Sequence, residues 1–175
     1  MNIVAFAAST STKSINKKLV TYATSLLENV SVEILDLNDY EIPLFSQDKE
    51  EELGQPQAAI DFLAKLNEAE ALVISFAEHN GSYSAAYKNL FDWCSRIQQK
   101  VYQDKSVILL SASPGKGGAS SVLAQATNSM PFFGAEVKAT FSLPSFYNNF
   151  DVENNKLIDS EMDKNLLETM TKLIG

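Results

Sequence analysis

The chain has 175 residues, 45% apolar and 21% charged, enough for one domain with a full core (residues 1–175) and too few for two ordinary ones. Its net charge of −8 and pI near 4.6 argue against nucleic acid, which needs a cationic face, and one cysteine with one histidine leaves no disulfide and too few ligands for a structural zinc or any metal site suggested by spacing. No apolar run approaches the ~20 residues of a membrane span and no basic region precedes an apolar stretch at the N-terminus, so a cytoplasmic location is expected.

In chain order, residues 2–7 (NIVAFA) form a continuous apolar run, as for a central strand covered on both faces. Residues 16–29 place Leu19, Tyr22, Ala23, Leu26 and Leu27 at helical spacing, and residues 31–37 alternate like a half-buried strand. Residues 38–56, with two prolines and a run of acids, read as a long connection of little regular structure. Helical periodicity resumes over 57–67, followed by a buried strand at 71–76 (ALVISF), a loop at 77–82 and a helix over 85–99. A fourth strand falls at 106–111 (SVILLS), then a Pro/Gly-rich loop at 112–118. Residues 119–133 read as a helix that Pro131 should end early, residues 136–141 as a fifth, weaker strand, residues 142–155 as irregular and residues 161–173 as a closing helix.

Alternation of strands and helices implies parallel pairing through right-handed crossovers. With five strands the expected architecture is a flavodoxin-like three-layer α/β sandwich, a parallel sheet of strand order 2-1-3-4-5 with helices on both faces. Ligands in such sheets bind outside the carboxyl ends of the strands near the switch in strand order, which selects the loops after strands one, three and four.

The first of these, from Ala8 to Asn16, packs five hydroxyl side chains into residues 9–14. They sit where a helix N-terminus already favours an anion, so the loop reads either as a phosphate site or as an ordinary Ser/Thr turn with Ser14 or Asn16 as the helix cap. It lacks the glycines of a dinucleotide fingerprint and the Gly-Lys-Ser/Thr of a P-loop, and a mononucleotide fits better.

The second stretch, SFAEHNGSYSAAYKNLFDWCSR, resembles the Pro-Glu-Tyr-Asn-Gly-Ser-x-Pro…Lys-Asn-x-x-Asp-Trp signature of the NADPH-dependent FMN reductase family. The first loop resembles that family's Gly-Ser-x-Arg-x-x-Ser-x-Asn motif, with Ser9, Ser14 and Asn16 in register, and Ser111 to Gly118 resembles its Ser-x-Ser-Pro-Gly-x-x-Gly-Gly segment. Ala8 and Ser11 replace the family's Gly and Arg, Ala77 and His79 replace Pro and Tyr, and Ser84 replaces the second Pro. Lys13 is the candidate to restore the missing positive charge.

The resemblance implies that Ser9, Ser11, Ser14, Ile15 and Asn16 hold the phosphate of FMN. It implies that Glu78, His79, Asn80, Gly81, Ser82 and Tyr83 line the isoalloxazine, with Gly81 letting the backbone approach a flat ring, and that Ser113, Pro114, Gly115 and Gly118 close the opposite edge. It implies NADPH or NADH as co-substrate, a small-molecule electron acceptor (flavin, quinone, azo compound or metal oxyanion), and a homodimer or homotetramer. Hydride transfer is then flavin chemistry, and no catalytic acid or base is needed. Cys94 and Trp93 read as core, and Asn89 and Asp92 as structural residues near the site or a subunit contact. On this reading Asn16→Asp leaves stability nearly unchanged while weakening FMN, and Gly81→Val intrudes on the ring. The competing readings are a flavodoxin-type carrier, whose Thr-x-Thr-Gly-x-Thr glycine is absent here, and a flavin-free interaction protein on the same scaffold.

Overall fold

A computed structural model describes residues 1–174. Five strands form one parallel sheet: β1 (Asn2–Ala8), β2 (Ser31–Leu35), β3 (Ala71–Phe76), β6 (Lys105–Ala112) and β7 (Ala135–Leu143), in the order β2-β1-β3-β6-β7. This is the 2-1-3-4-5 arrangement expected from the sequence; a short hairpin, β4 (Glu78–His79) with β5 (Ser82–Tyr83), falls between β3 and β6 and accounts for the numbering.

The central strands show why they read as unbroken apolar runs. Side chains alternate between faces, and both faces are covered. Ile3, Ala5, Val73, Ile108 and Leu110 pack under α1 (Ile15–Ser25) and α7 (Ser160–Thr171). Val4, Phe6, Leu72, Ile74 and Leu109 pack under α3 (Gln57–Glu68), α4 (Ala85–Ile97) and α5 (Ser120–Ser129). The edge strands β2 and β7 instead alternate between half-buried and exposed positions, and β7 carries a register shift opposite Val107 and Ile108. A weaker periodic signal at the edges follows from that one-sided burial.

Two segments differ from expectation, and a third ends as expected. The stretch 38–56 holds a 3₁₀ turn (Leu37–Tyr40) and a helix, α2 (Gln47–Leu53). That helix buries none of its residues, so it has no apolar period to detect. Ser46 caps it by accepting from the Lys49 amide at 3.1 Å, and Gly54 stops it at φ +68°. Helix α5 ends at Ser129 as Pro131 requires, and a 3₁₀ turn (Met130–Phe133) follows. Residues 142–155 contain α6 (Phe146–Asn149) and one strand, β8 (Phe150–Asp151), of a second hairpin completed by β9 (Lys156–Leu157), which together cover the α1–α7 face through Phe146, Phe150 and Leu157. No helix is long and apolar enough to cross a membrane among the described residues.

Candidate functional site

The register sets β1, β3 and β6 level at their carboxyl ends: Ala8 lies opposite Phe76, and Phe76 opposite Ser111. The three loops singled out by sequence therefore leave the sheet side by side. They enclose a groove of about 240 Å³ whose wall includes Ser9, Ser11, Lys13, Ser14, Ile15 and Asn16 from the first loop. Ala77, Glu78 and His79 line it from the second loop, Ala112, Ser113 and Pro114 from the third.

The first loop turns into α1 through Ser14, whose Oγ accepts from the Lys17 amide at 3.2 Å. Ser14, not Asn16, is the helix cap. The amides of Thr12, Lys13, Ile15 and Asn16 donate to no protein acceptor among the described residues, whereas Ser11 N donates to Ser9 Oγ and Ser14 N to the Ser11 carbonyl. A cluster of free N–H groups at a helix N-terminus is an anion cradle. Lys13 lines the same groove, which puts a cation where Ser11 lacks one.

Asn16 is 2% exposed and its side chain faces the sheet. Nδ2 donates to the Ala112 carbonyl at 3.2 Å, while Oδ1 accepts from the Ala112 amide at 2.9 Å and from Ser75 Oγ at 2.8 Å. It stitches α1 to β3 and β6. The expectation that Asn16→Asp leaves stability untouched is thereby corrected: a carboxylate there loses the Nδ2 donor and meets the Ala112 carbonyl oxygen inside the core.

The hairpin after β3 is held from behind. Glu78 Oε2 accepts from the Val122 amide at 2.9 Å and so caps α5, Ser82 Oγ donates to Gln125 Oε1 at 3.1 Å, and the Tyr83 hydroxyl meets Ser129 Oγ at 3.1 Å. Its two-residue turn puts Asn80 at φ +52° and Gly81 at φ +79°, the left-handed pair of a tight hairpin. A Cβ on Gly81 would meet nothing within 4 Å. Glycine is needed here for conformation, and the structure gives no crowding reason for it. Asn80, Gly81, Ser82 and Tyr83 are not part of the groove wall; Glu78 and His79 are. Ser84 caps α4 and donates to the Ala8 carbonyl at 2.8 Å, a hydrogen bond that the family's proline could not make.

The third loop brings Ser113 and Pro114 to the groove and leaves Gly115 and Gly118 outside its wall. Gly118 is a structural position: at φ +58° a Cβ would run into Ser142 Oγ, and its carbonyl accepts from both Ser111 Oγ and Ser142 Oγ. The amide of Ser145 donates to Gly115 and that of Phe146 to Ser113, which brings α6 over the loop and places Tyr147, 63% exposed, on the groove wall. Sequence reading missed Tyr147. The available signal was an aromatic cluster directly after the last strand, hence at the ligand end of the sheet.

Asn89 lies apart from the groove. Its Oδ1 accepts from the Phe45 amide at 2.8 Å and its Nδ2 donates to the Pro43 carbonyl at 3.0 Å, while Trp93 Nε1 donates to the same carbonyl at 2.8 Å. These bonds fix the crossing loop after β2. A larger cavity of about 320 Å³ borders that loop, beside Tyr40, Ile42 and Asn89, but Lys13, Ile15 and Asn16, whose amides are free, and all three converging loops line the smaller groove. Lys88 and Asp92 form an exposed ion pair at 2.6 Å. Cys94 is buried and burial pushes its thiol up to about 12, so it is inert core, as expected. Burial likewise raises Tyr83, and raises Tyr87 more strongly where its hydroxyl meets that of Tyr102. Among the described residues no three His, Cys, Asp or Glu side chains cluster as metal ligands.

The fold and the groove define a flavodoxin-like α/β protein with a candidate ligand site at the carboxyl ends of its strands. The NADPH-dependent FMN reductase family matches residues 1–148, and the chain belongs to it. It is 29% identical over 132 residues to an NAD(P)H-dependent FMN reductase of Pseudomonas aeruginosa, covering 74% of this chain and 70% of that one. A quinone reductase of Escherichia coli is 27% identical over 121 residues, or 68% of this chain and 64% of that one. Among solved structures, a flavoenzyme NAD(P)H:(acceptor) oxidoreductase from Paracoccus denitrificans superposes with a TM-score of 0.78 at 20% identity, covering 99% of this chain and 94% of the other. An FMN-dependent NADH-azoreductase from Bacillus anthracis, in complex with FMN, gives 0.68 at 14% identity with 99% of each chain covered.

Proposed function

We propose that the chain is an NAD(P)H-dependent FMN oxidoreductase that passes a hydride from the nicotinamide, by way of bound FMN, to a small-molecule acceptor: a flavin, quinone, azo compound or metal oxyanion. The observation that carries this reading is the set of free amides at Lys13, Ile15 and Asn16, at one end of a groove that continues between the second and third loops. This donor set fits a phosphomonoester, and the rest of the groove fits the flat body attached to it.

The hydroxyls of Ser9, Ser11 and Ser14 add neutral donors, Lys13 supplies the charge, and Asn16 contributes its main-chain amide because its side chain is committed to the sheet. Ala77, Glu78 and His79 flank one side of the ring position, and Ser113 and Pro114 the other, with Tyr147 at the rim. Asn80, Gly81, Ser82 and Tyr83 hold the hairpin in shape, and Gly115 and Gly118 shape the third loop. FMN, when bound, supplies the hydride-accepting and hydride-donating chemistry. The protein binds, orients and excludes water, a task that needs no acid or base. We further infer a cytoplasmic enzyme that acts as one flavin-binding unit, assembled as a homodimer or homotetramer, with no nucleic-acid partner.

The test is an absorbance spectrum of purified protein reconstituted with FMN or riboflavin, followed by NADPH. FMN is expected to bind far more tightly than riboflavin, and its visible band to bleach on NADPH addition. FMN that binds without bleaching would make the chain an electron carrier, and equal affinities for the two flavins would remove the phosphate site.

A further inference from the structure

The phosphate loop has a second side. Behind it, on the exposed face of α1, lies a second groove of about 230 Å³ lined by Thr12, Lys13, Ser14, Lys17, Lys18 and Thr21, with Asn155 of the β8–β9 turn opposite. Ser14, Lys17, Lys18 and Thr21 are spaced i, i+3, i+4, i+7, and so form one helical stripe. Leu19, Val20 and Ala23 occupy the buried face.

Three of the chain's 14 lysines and arginines fall within these few residues of a protein with net charge −8. Lys17 is paired with Asp36 at 2.5 Å, and that hydrogen bond chiefly holds the Asp36 carboxyl below its usual range. Lys13 and Lys18 are in no ion pair among the described residues. Lys18, with Lys13 shared at the mouth of the flavin groove, leaves this groove cationic and suited to an anion from outside. Lys13 and Ser14 line both this groove and the flavin groove, so the two are continuous around the helix N-terminus. From Ser14 to Thr21 the stripe runs ~10 Å, enough for a ribose with its phosphate.

We propose that this basic groove holds the adenosine-bearing phosphate of a dinucleotide. The inference rests on the flavin reading above, since it places the second nucleotide phosphate next to the first. Two sources share this chemistry: the 2′-phosphate of NADPH, and the adenylyl half of FAD taken in place of FMN.

The test uses FMN-loaded protein and 2′,5′-ADP as probe, with Lys18→Gln and Lys18→Glu as variants. Lys18 lies outside the flavin groove, so FMN content per chain and thermal stability are expected to stay at wild-type values. Lys18→Gln is expected to weaken 2′,5′-ADP roughly threefold and Lys18→Glu about tenfold at low ionic strength, with less difference in high salt. The KM for NADPH should rise in step while kcat holds. In the second arm, FAD and FMN compete for apoprotein. An FAD preference that collapses in Lys18→Glu, with no 2′,5′-ADP binding to the FMN-loaded protein, supports the site and assigns it to the flavin's own extension. If Lys18→Glu changes neither 2′,5′-ADP affinity nor the FAD-to-FMN ratio in protein that loads FMN normally, the inference is overturned. Failure to load FMN at all in the wild type would count against the flavin reading instead.

Discussion

The first loop and the hairpin after β3 leave adjacent strands at the same end of the sheet, and both are dense in polar residues, yet they use them in opposite ways. The first loop leaves the amides of Thr12, Lys13, Ile15 and Asn16 and the Ser11 hydroxyl without partners among the described residues. The hairpin commits three of its side chains to α5: Glu78 to Val122, Ser82 to Gln125, Tyr83 to Ser129. On the proposed reading one is a receptor, the other a brace that offers only its base to the ligand. On that reading, residues of two neighbouring family motifs serve the ligand in one loop and the fold in the next.

The comparison breaks most visibly at Asn16, which belongs to the receptor loop in sequence and to the brace in structure. Asn16→Asp is expected to lower stability by ~2–4 kcal/mol, because a buried charge replaces a donor to Ala112. For a chain of this size that is a fall in Tm of roughly 2–4 °C per kcal/mol. Urea or thermal unfolding reads it directly, and an unchanged midpoint would return Asn16 to the ligand side.

Gly81→Val tests the brace. A β-branched residue at φ +79° is expected to cost ~1–3 kcal/mol through backbone strain. Gly81→Asn, which tolerates that conformation, should cost only a few tenths. If the two variants unfold alike but the valine form alone loses FMN, the hairpin tip touches the ring and the assignment to conformation fails.

The smallest stability effect belongs to the receptor. Ser11 Oγ has no protein partner, and its side chain is exposed, so Ser11→Ala should change stability by less than ~0.5 kcal/mol. FMN affinity should nevertheless fall by about two- to tenfold, the worth of one hydrogen bond, with riboflavin unaffected. Fluorescence titration of both flavins checks it, and a parallel loss for riboflavin would move Ser11 away from the phosphate.

The sequence by itself determined the strand–helix order and the sheet, because burial on two faces writes continuous apolar runs at residues 2–7, 71–76 and 106–111, and helices write their own period. It also located the three ligand-side loops, through hydroxyl density and family motifs. Only the tertiary structure decided that α2 exists, since a helix that buries nothing has no period and is fixed by Ser46, Gly54 and the 2.9 Å ion pair of Glu50 with Arg96. It likewise decided the inward turn of Asn16, the cap supplied by Glu78, the bond of Ser84 to the Ala8 carbonyl, and the arrival of Tyr147 at the groove. Each of these depends on a partner tens of residues away, such as the 96 between Asn16 and Ala112. Local pattern records which face of an element is buried, but not which distant atom a polar side chain will meet there.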